Sequence, residues 1–208
     1  MHSGDFFSAL EFAQGGSPFH QLDVAKMYFD GHEVPKSESE AFRWFLAAAL
    51  QGESEGMYWV GLCYLRGLGI EHNKFEAIKW LHRLAEPETT EDCGWPRRMV
   101  DAQVLMAAAY HSVPGEPSDA VFAYAWALLA KCYGKSDECE ETQFNAGLLV
   151  AERDAEAWLH AYVAQIEASL TPEQRVRGQL LAADMFRSKD DLENRRDAIS
   201  IRNREIRD

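Results

Sequence analysis

A spacing of 36 residues recurs along this chain and restricts its fold more than any other feature. Shifting residues 24–49 by 36 positions aligns eight positions, more than composition alone would give. A third copy follows 82 residues after the first. The first copy has Val24, Ala25, Tyr28, Gly31, Val34, Ala41, Trp44 and Ala49; the second has Val60, Gly61, Tyr64, Gly67, Ile70, Ala77, Trp80 and Ala85; the third has Met106, Ala107, Tyr110, Ala123, Trp126, Ala130 and Gly134. Self-similarity at a fixed period of this length indicates stacked supersecondary units.

Each copy has the pattern of two helices joined by a short turn. Apolar or small residues fall on one side of each segment, at the spacing of an amphipathic helix. Gly31 predicts the end of the first helix in a left-handed conformation. Ser37 and Glu40 predict the start of the second helix, because their separation is that of a capping box. The second copy repeats these signals at Gly67, Asn73 and Glu76.

The small and aromatic positions predict how the helices pack. Ala25, Gly61 and Ala107 are expected to be small because the partner helix approaches closely there. In every copy the tyrosine precedes the tryptophan by 16 residues. These aromatic residues are predicted to form the core: Tyr28, Trp44, Tyr64, Trp80, Tyr110 and Trp126.

Residues 1–187 are predicted to form one domain. A partial earlier copy, in which Ala13 and Gly16 align with Ala49 and Gly52, predicts a capping helix at 5–16. Thr171, followed by Pro172 and Gln174, predicts a capped helix start near the other end. The predicted parts are the capping helix 5–16, repeats at about 19–52, 56–86 and 101–134, C-terminal capping helices within 141–187, and a charged helix or tail at 188–208.

Two segments depart from the repeat pattern. In the third copy Val113 stands where the turn glycine is expected, and Asp119 or Ser118 is the predicted cap of the following helix. An insert at 87–98 separates the second and third copies and contains Cys93 and Trp95. It is predicted to be a surface loop, or alternatively an ordered loop that binds a partner through Trp95.

Composition excludes several classes of function. The formal net charge of −13 argues against sequence-independent nucleic-acid binding, which draws its energy from basic side chains. The same charge disfavours an anionic membrane surface and favours a basic partner. No signal-peptide pattern and no apolar run long enough to span a bilayer occurs, so the chain as given is predicted to be cytoplasmic and not membrane-inserted. A chain trimmed of its signal would look the same.

The sequence contains no recognised catalytic or metal-binding motif. Cys63, Cys93, Cys132 and Cys139 are too few for a disulfide scaffold and lack the spacing of a zinc site, so buried thiols are expected. The seven histidines form no HExxH motif, and no nucleophile, Walker or dinucleotide-binding sequence is present. The sequence therefore predicts no catalytic residue, no metal and no cofactor. An enzyme with an unrecognised site ranks third among the functional hypotheses.

The repeats resemble those of the Sel1-like family, which is related to tetratricopeptide repeats. The segments that carry the resemblance are AKMYFDGHEVPKSESEAFRWFLAAALQG at 25–52, GLCYLRGLGIEHNKFEAIKWLHRLA at 61–85 and AAAYHSVPGEPSDAVFAYAWALLAKCYG at 107–134. The resemblance, which is to bacterial members, implies an all-α fold: an α-solenoid of antiparallel helix pairs with helical caps. It also implies protein binding, with no catalytic residues to transfer.

In such solenoids the first helix of each pair lines the concave face, where ligands bind. The repeat register therefore predicts the partner-binding residues Lys26, Phe29, Asp30, Trp59, Leu62, Arg66, Val104, Ala108 and His111, in addition to Trp95 in the insert. Trp59 and Arg66 are the leading candidates, because tryptophan and arginine are enriched among residues that dominate binding energy. An alternative is that Trp59 and Leu62 pack against the neighbouring helix pair.

The leading hypothesis is a non-catalytic adaptor that recognises a protein or peptide on its concave face. The alternative is a specific inhibitor, such as an immunity protein that neutralises a basic toxin or enzyme, since acidic inhibitors cover basic sites by electrostatic complementarity. Both ends of the predicted array are capped, which favours a monomer.

Overall fold

The helix signals of the sequence are realised as nine helices in the part of the chain that the structure describes, and no strand occurs there. The structure is a computed structural model that describes residues 6–85, 95–111, 117–133 and 155–185. The helices are α1 (Phe6–Gln14), α2 (Pro18–Asp30), α3 (Glu38–Leu50), α4 (Ser54–Arg66), α5 (Lys74–Ala85), α6 (Trp95–His111), α7 (Pro117–Tyr133), α8 (Ala155–Ser169) and α9 (residues 172–185). The predicted all-α class is confirmed.

The turn within a repeat is built in the same way in the first two copies. Gly31 and Gly67 have φ angles of 73° and 71°, and each ends its helix in the left-handed conformation. The backbone N–H of Ser37 donates to the carbonyl of Tyr28 at 2.8 Å, and that of Asn73 donates to Tyr64 at 2.9 Å. The sequence period of 36 residues is therefore also a period of backbone hydrogen bonds.

The predicted helix caps are present, although only one is fully reciprocal. The Ser37 hydroxyl accepts from the N–H of Glu40 at 3.4 Å, and the Asn73 side chain accepts from that of Glu76 at 3.1 Å. The side chains of the two glutamates instead bind Arg43 and Lys79. Before α9, Gln174 accepts from the N–H of Thr171 at 2.9 Å while the Thr171 hydroxyl accepts from that of Gln174 at 3.3 Å, which completes a capping box.

Helix α1 has the structure of the second helix of a repeat. Gly16 and Gly52 have φ angles of 94° and 95°, and their N–H groups donate to Ala13 and Ala49, each at 3.1 Å. Helix α1 therefore packs on α2 as α3 packs on α4, and it covers the N-terminal side of the first repeat.

The repeats stack in chain order, so that the core runs continuously through them. The pairs are α2 with α3, α4 with α5, and α6 with α7, and α8 follows on α7. The first helices α4 and α6 lie directly against each other, whereas the second helices α5 and α7 meet through long side chains.

Close helix approach explains the small residues. Ala25 and Ala107 are fully buried, and a Cβ added to Gly61 would lie 2.8 Å from the Leu81 side chain on the partner helix α5. Gly56 is a further close contact that the repeat pattern does not reveal, because an added Cβ would lie 2.6 Å from the backbone nitrogen of Ala49 on α3.

The expectation that all six repeat aromatics are core residues is only partly right. Trp126 is buried at 7% exposure. The other five are half-buried and pack against the core with one edge towards solvent: Tyr28, Trp44, Tyr64, Trp80 and Tyr110. A two-layer array leaves each large ring at the edge of its layer, where the polar atoms of tyrosine and tryptophan reach water.

Two helices begin earlier than the sequence pattern indicates. Helix α6 begins at Trp95, so the last residues of the insert expected to be a loop are helical, and Pro96 is tolerated in the first turn. Helix α7 begins at Pro117, so Ser118 and Asp119 lie inside the helix and neither is its cap. Residues 86–94, 112–116, 134–154 and 186–208 lie outside the described part of the chain, and with them Val113, most of the insert and the charged tail.

Of the two cysteines that the structure describes, only Cys63 is buried as expected; Cys132 is exposed. Burial, with a smaller effect from Glu38, raises the pKa of the Cys63 thiol from 9.0 to about 12. The unfolded chain therefore loses this proton first, and the stability that the buried thiol contributes is present below pH 9.0 and lost as the pH rises towards 12.

We expect Cys63→Ala to reduce the loss of stability at high pH. Between pH 8 and pH 10.5 the unfolding free energy should fall by up to about 2 kcal/mol less in this variant than in the unmodified protein. Urea denaturation at the two pH values measures the difference. Cys132→Ala, which removes an exposed thiol, is the matched control and should keep the pH dependence of the unmodified chain. If all three proteins lose stability equally between the two pH values, the buried Cys63 thiol is not the cause of that loss.

Candidate protein-binding surface

Helices α2 and α4, the first helices of two successive repeats, bring four polar and aromatic side chains together. Lys26 Nζ lies 2.8 Å from Glu55 Oε1, and the rings of Phe29 and Trp59 have their centroids 5.1 Å apart. The two contacts follow from the helix period, since Glu55 and Trp59 are four residues apart and share one face of α4. Sequence reasoning missed Glu55, although its spacing from Trp59 was a usable signal.

The exposed ends of the same helices complete this surface. Asp30 and Arg66 are the last residues of α2 and α4, they are equivalent in the repeat, and both are exposed. We call the six residues Lys26, Phe29, Asp30, Glu55, Trp59 and Arg66 the α2–α4 surface. It combines two half-buried rings with opposite charges along one edge.

Trp59 also belongs to the packing between repeats. Its ring is stacked on that of Phe45 on α3, with centroids 4.8 Å apart and planes within 4°. Phe29 also contacts Phe45, and Lys36 Nζ lies 5.3 Å above the Phe29 ring. One face of the Trp59 ring therefore packs against α3, as the packing alternative predicts, and the side chain remains half-buried. Its role in partner binding stays a prediction.

Two residues expected to bind a partner are buried. Leu62 is 0% exposed and Val104 is 1% exposed, and both side chains belong to the core cluster. Their assignment to the binding surface was wrong, since neither side chain is accessible in the folded protein. Ala108 is half-buried on α6.

His111 lies at the other end of the described array from the α2–α4 surface. The His111 ring lies 5.9 Å from that of Tyr162 on α8, at the C-terminal side of the array. Burial raises the pKa of Tyr162 to about 12, so this ring is a packing residue that remains neutral. Trp95 is the first residue of α6, and its side chain lies outside the described part of the structure.

The described residues contain no group of three or more histidine, cysteine or acidic side chains placed to hold a metal ion. Among the described helices, none is long and apolar enough to cross a membrane. The chemistry available on the α2–α4 surface is therefore that of recognition: ring stacking, ion pairing and hydrogen bonding.

Comparison with known families agrees with this architecture. The Sel1 repeat model matches residues 21–53, 54–86 and 100–132, which cover the three helix pairs. The chain is a Sel1 repeat protein. Sel1 repeats generally serve as scaffolds for interactions between proteins and are typically non-catalytic.

One of two similar solved structures supports the same fold. A protective antigen present in uropathogenic Escherichia coli strains, which displays an SLR fold, superposes with a TM-score of 0.58 at 20% identity, over 85% of this chain and 31% of that one. The Sel1 repeat protein from Oxalobacter formigenes gives a TM-score of 0.46 at 25% identity, over 86% and 49% of the two chains. This chain therefore spans less than half the length of either protein.

A curated relative shares one short region. The DAP3-binding cell death enhancer 1 of Rattus norvegicus is 38% identical over 48 residues, which are 23% of this Sel1 repeat protein and 9% of the rat protein. A match of this size transfers no function.

Proposed function

We propose that this Sel1 repeat protein is a non-catalytic adaptor that binds a protein or peptide segment on its concave side, at the α2–α4 surface. The position of Asp30 is the observation that carries the proposal. A carboxylate at the C-terminal end of a helix is unfavourable, because the helix dipole places partial negative charge there. No cation pairs with Asp30 among the described residues.

The neighbouring residues define what such a partner would offer. Phe29, next to Asp30 in sequence, and Trp59 form a half-buried aromatic pair, which favours an apolar side chain of the partner. A lysine or arginine of the partner would then relieve the unfavourable charge of Asp30. Arg66, one repeat further on, would pair with an acidic group of the partner. The preferred ligand is an extended segment with alternating apolar and charged residues.

We expect Asp30→Lys to lose partner binding without losing stability. Reversing this charge should weaken binding at least tenfold, about 1.4 kcal/mol. The same change should leave the unfolding free energy unchanged or raise it by up to about 1 kcal/mol, since a cation suits a helix C-terminus. Trp59→Ala is less informative, because it also removes the stack on Phe45. Affinity capture from the source cells, followed by titration with the captured protein, measures the effect.

Glu11→Lys provides the matched control. Glu11 is exposed on α1, away from the α2–α4 surface, and the variant changes the net charge by the same amount. If both variants bind the captured protein as the unmodified chain does, the concave site is ruled out. If both weaken binding equally, overall charge rather than the α2–α4 surface governs recognition.

A specific inhibitor of a basic protein is the second candidate. The net charge of −13 favours it, because opposite net charges accelerate association and suppress wrong partners. Salt dependence distinguishes the two candidates. Binding to a basic enzyme through the overall charge should weaken steeply between low and physiological ionic strength, whereas binding through one Asp30 pair and the aromatic rings should weaken much less.

A further inference from the structure

Helix α2 carries a line of side chains on the side that faces away from the core. Phe19, Asp23, Lys26 and Asp30 are separated by four, three and four residues, so they fall within about 60° of one another around the helix axis. Phe19 is 65% exposed, Asp23 and Asp30 are also exposed, and Lys26 is half-buried. We call these four residues the α2 stripe.

The residues on either side of the α2 stripe contact two different helices. Met27 packs on the apolar cluster that α1 forms with α2. On the other side, the Phe29 ring contacts that of Trp59 on α4, and Lys26 Nζ lies 2.8 Å from Glu55 Oε1. Met27 and Phe29 are about 160° apart around α2, with the stripe between them. The α2 stripe therefore runs between α1 and α4, and the described helices leave most of it exposed.

The α2 stripe presents two carboxylates that no cation of the described chain neutralises. Lys26 is compensated by Glu55, whereas Asp23 and Asp30 form no ion pair among the described residues. Repeat stacking does not account for the stripe, because the next repeat has a glutamate at the position of Phe19 and an arginine at that of Asp30. The two carboxylates and the exposed ring are therefore available to a ligand.

The separation of the two carboxylates along α2 selects the spacing of a ligand's charges. Asp23 and Asp30 are seven residues apart, about 10.5 Å along the helix axis. A polyproline II segment has three residues per turn and rises about 3.1 Å per residue, so its residues i and i+3 lie on the same side, about 9.3 Å apart. A β-strand presents the same side only after about 6.7 Å or 13.4 Å, which fits less well.

We propose that the α2 stripe binds an extended segment of a partner protein in which two basic residues stand three positions apart, one pairing with Asp23 and the other with Asp30. An apolar residue beyond the first basic residue packs on Phe19. This inference rests on the proposed function and narrows its ligand from one charge pair to two at a fixed spacing. Charge complementarity supports it, since a cation at Asp30 also relieves the unfavourable carboxylate at the C-terminal end of α2.

Peptide titrations of the full chain test the spacing. Short capped peptides of one composition, with two lysines, one leucine, prolines and serines, differ only in whether the lysines are one, three or seven positions apart. Titration of the ¹⁵N-labelled protein by NMR at about 150 mM salt measures affinity and locates the site. The peptide with a separation of three should bind about threefold or more tighter than the other two, and shift the amide signals of Phe19, Asp23 and Asp30.

Substitutions that remove one charge without changing side-chain shape show whether both carboxylates act. Asp23→Asn and Asp30→Asn should each bind the three peptides alike, because only one pair remains. Glu173→Gln, which removes an exposed carboxylate from α9, is the matched control and should keep the preference.

Four results would overturn the inference: equal affinity of the three peptides, no binding at millimolar concentration, a preference for the separation of seven that a helical ligand would show, or a preference that survives in either aspartate variant. The proposed function is judged separately by Asp30→Lys and the captured protein, since that titration does not depend on the spacing of two charges.

Discussion

Gly69→Ala is expected to lower the unfolding free energy by about 3 kcal/mol or more, because an added Cβ approaches backbone atoms more closely here than at any other described glycine. Gly69 has a φ angle of 70°, where an alanine is strained by roughly 1 kcal/mol. An added Cβ would also overlap the backbone carbonyl of Glu38 and lie 2.6 Å from the nitrogen of Ser39. Backbone atoms cannot rotate away, so the second repeat must shift relative to the first.

Gly67→Ala separates the two causes. Gly67 has nearly the same φ angle, 71°, but the nearest atom to an added Cβ is 3.6 Å away. The unfolding free energy of this variant should therefore fall by only about 1 kcal/mol, because backbone strain is its only effect. Urea denaturation of both variants followed by circular dichroism gives the difference. If both variants lose the same unfolding free energy, the contact between the turn of the second repeat and α3 accommodates the added methyl group without loss of stability.

The same position shows what the repeat period does and does not predict. One period earlier stands Glu33, which is not a glycine but shares the left-handed conformation with a φ angle of 63°. Its side chain accepts a hydrogen bond from the N–H of Phe6 at 2.9 Å, at the N-terminus of α1, where a carboxylate is favourable. The backbone conformation therefore repeats although the residue does not, and a comparison of residue types alone could not detect it.

Spacing predicted the helices and their caps because those depend on neighbours within a few residues. Gly31, Ser37 and Thr171 act where the sequence placed them. Burial depends instead on how the helix pairs pack against one another. Leu62 and Trp59 are three residues apart on α4, yet only Leu62 is fully buried in the core. The candidate surface was therefore predictable as a helix face, but its accessible members required the structure.

Asp119→Ala is the second prediction with a large effect. Lys74 Nζ on α5 lies 2.8 Å from Asp119 Oδ2 on α7 and 5.4 Å from the centre of the Tyr110 ring. The Lys74 side chain is only 11% exposed, and that of Asp119 is 23% exposed. Removing the carboxylate leaves a nearly buried ammonium group without its acceptor. We expect a loss of about 2 to 3 kcal/mol, moderated by the water that reaches the Asp119 side.

A double-mutant cycle with Lys74→Met tests this explanation. The double variant should be more stable than Asp119→Ala alone, because no unpaired charge remains between the second and third repeats. Glu76→Ala is the matched control: Glu76 Oε1 lies 2.6 Å from Lys79 Nζ, but these side chains are 36% and 68% exposed. The Glu76→Ala variant should lose no more than about 0.5 kcal/mol of unfolding free energy, since solvent screens an exposed pair. If Asp119→Ala lowers the unfolding free energy no more than Glu76→Ala does, burial of Lys74 does not determine the stability of the contact between the second and third repeats.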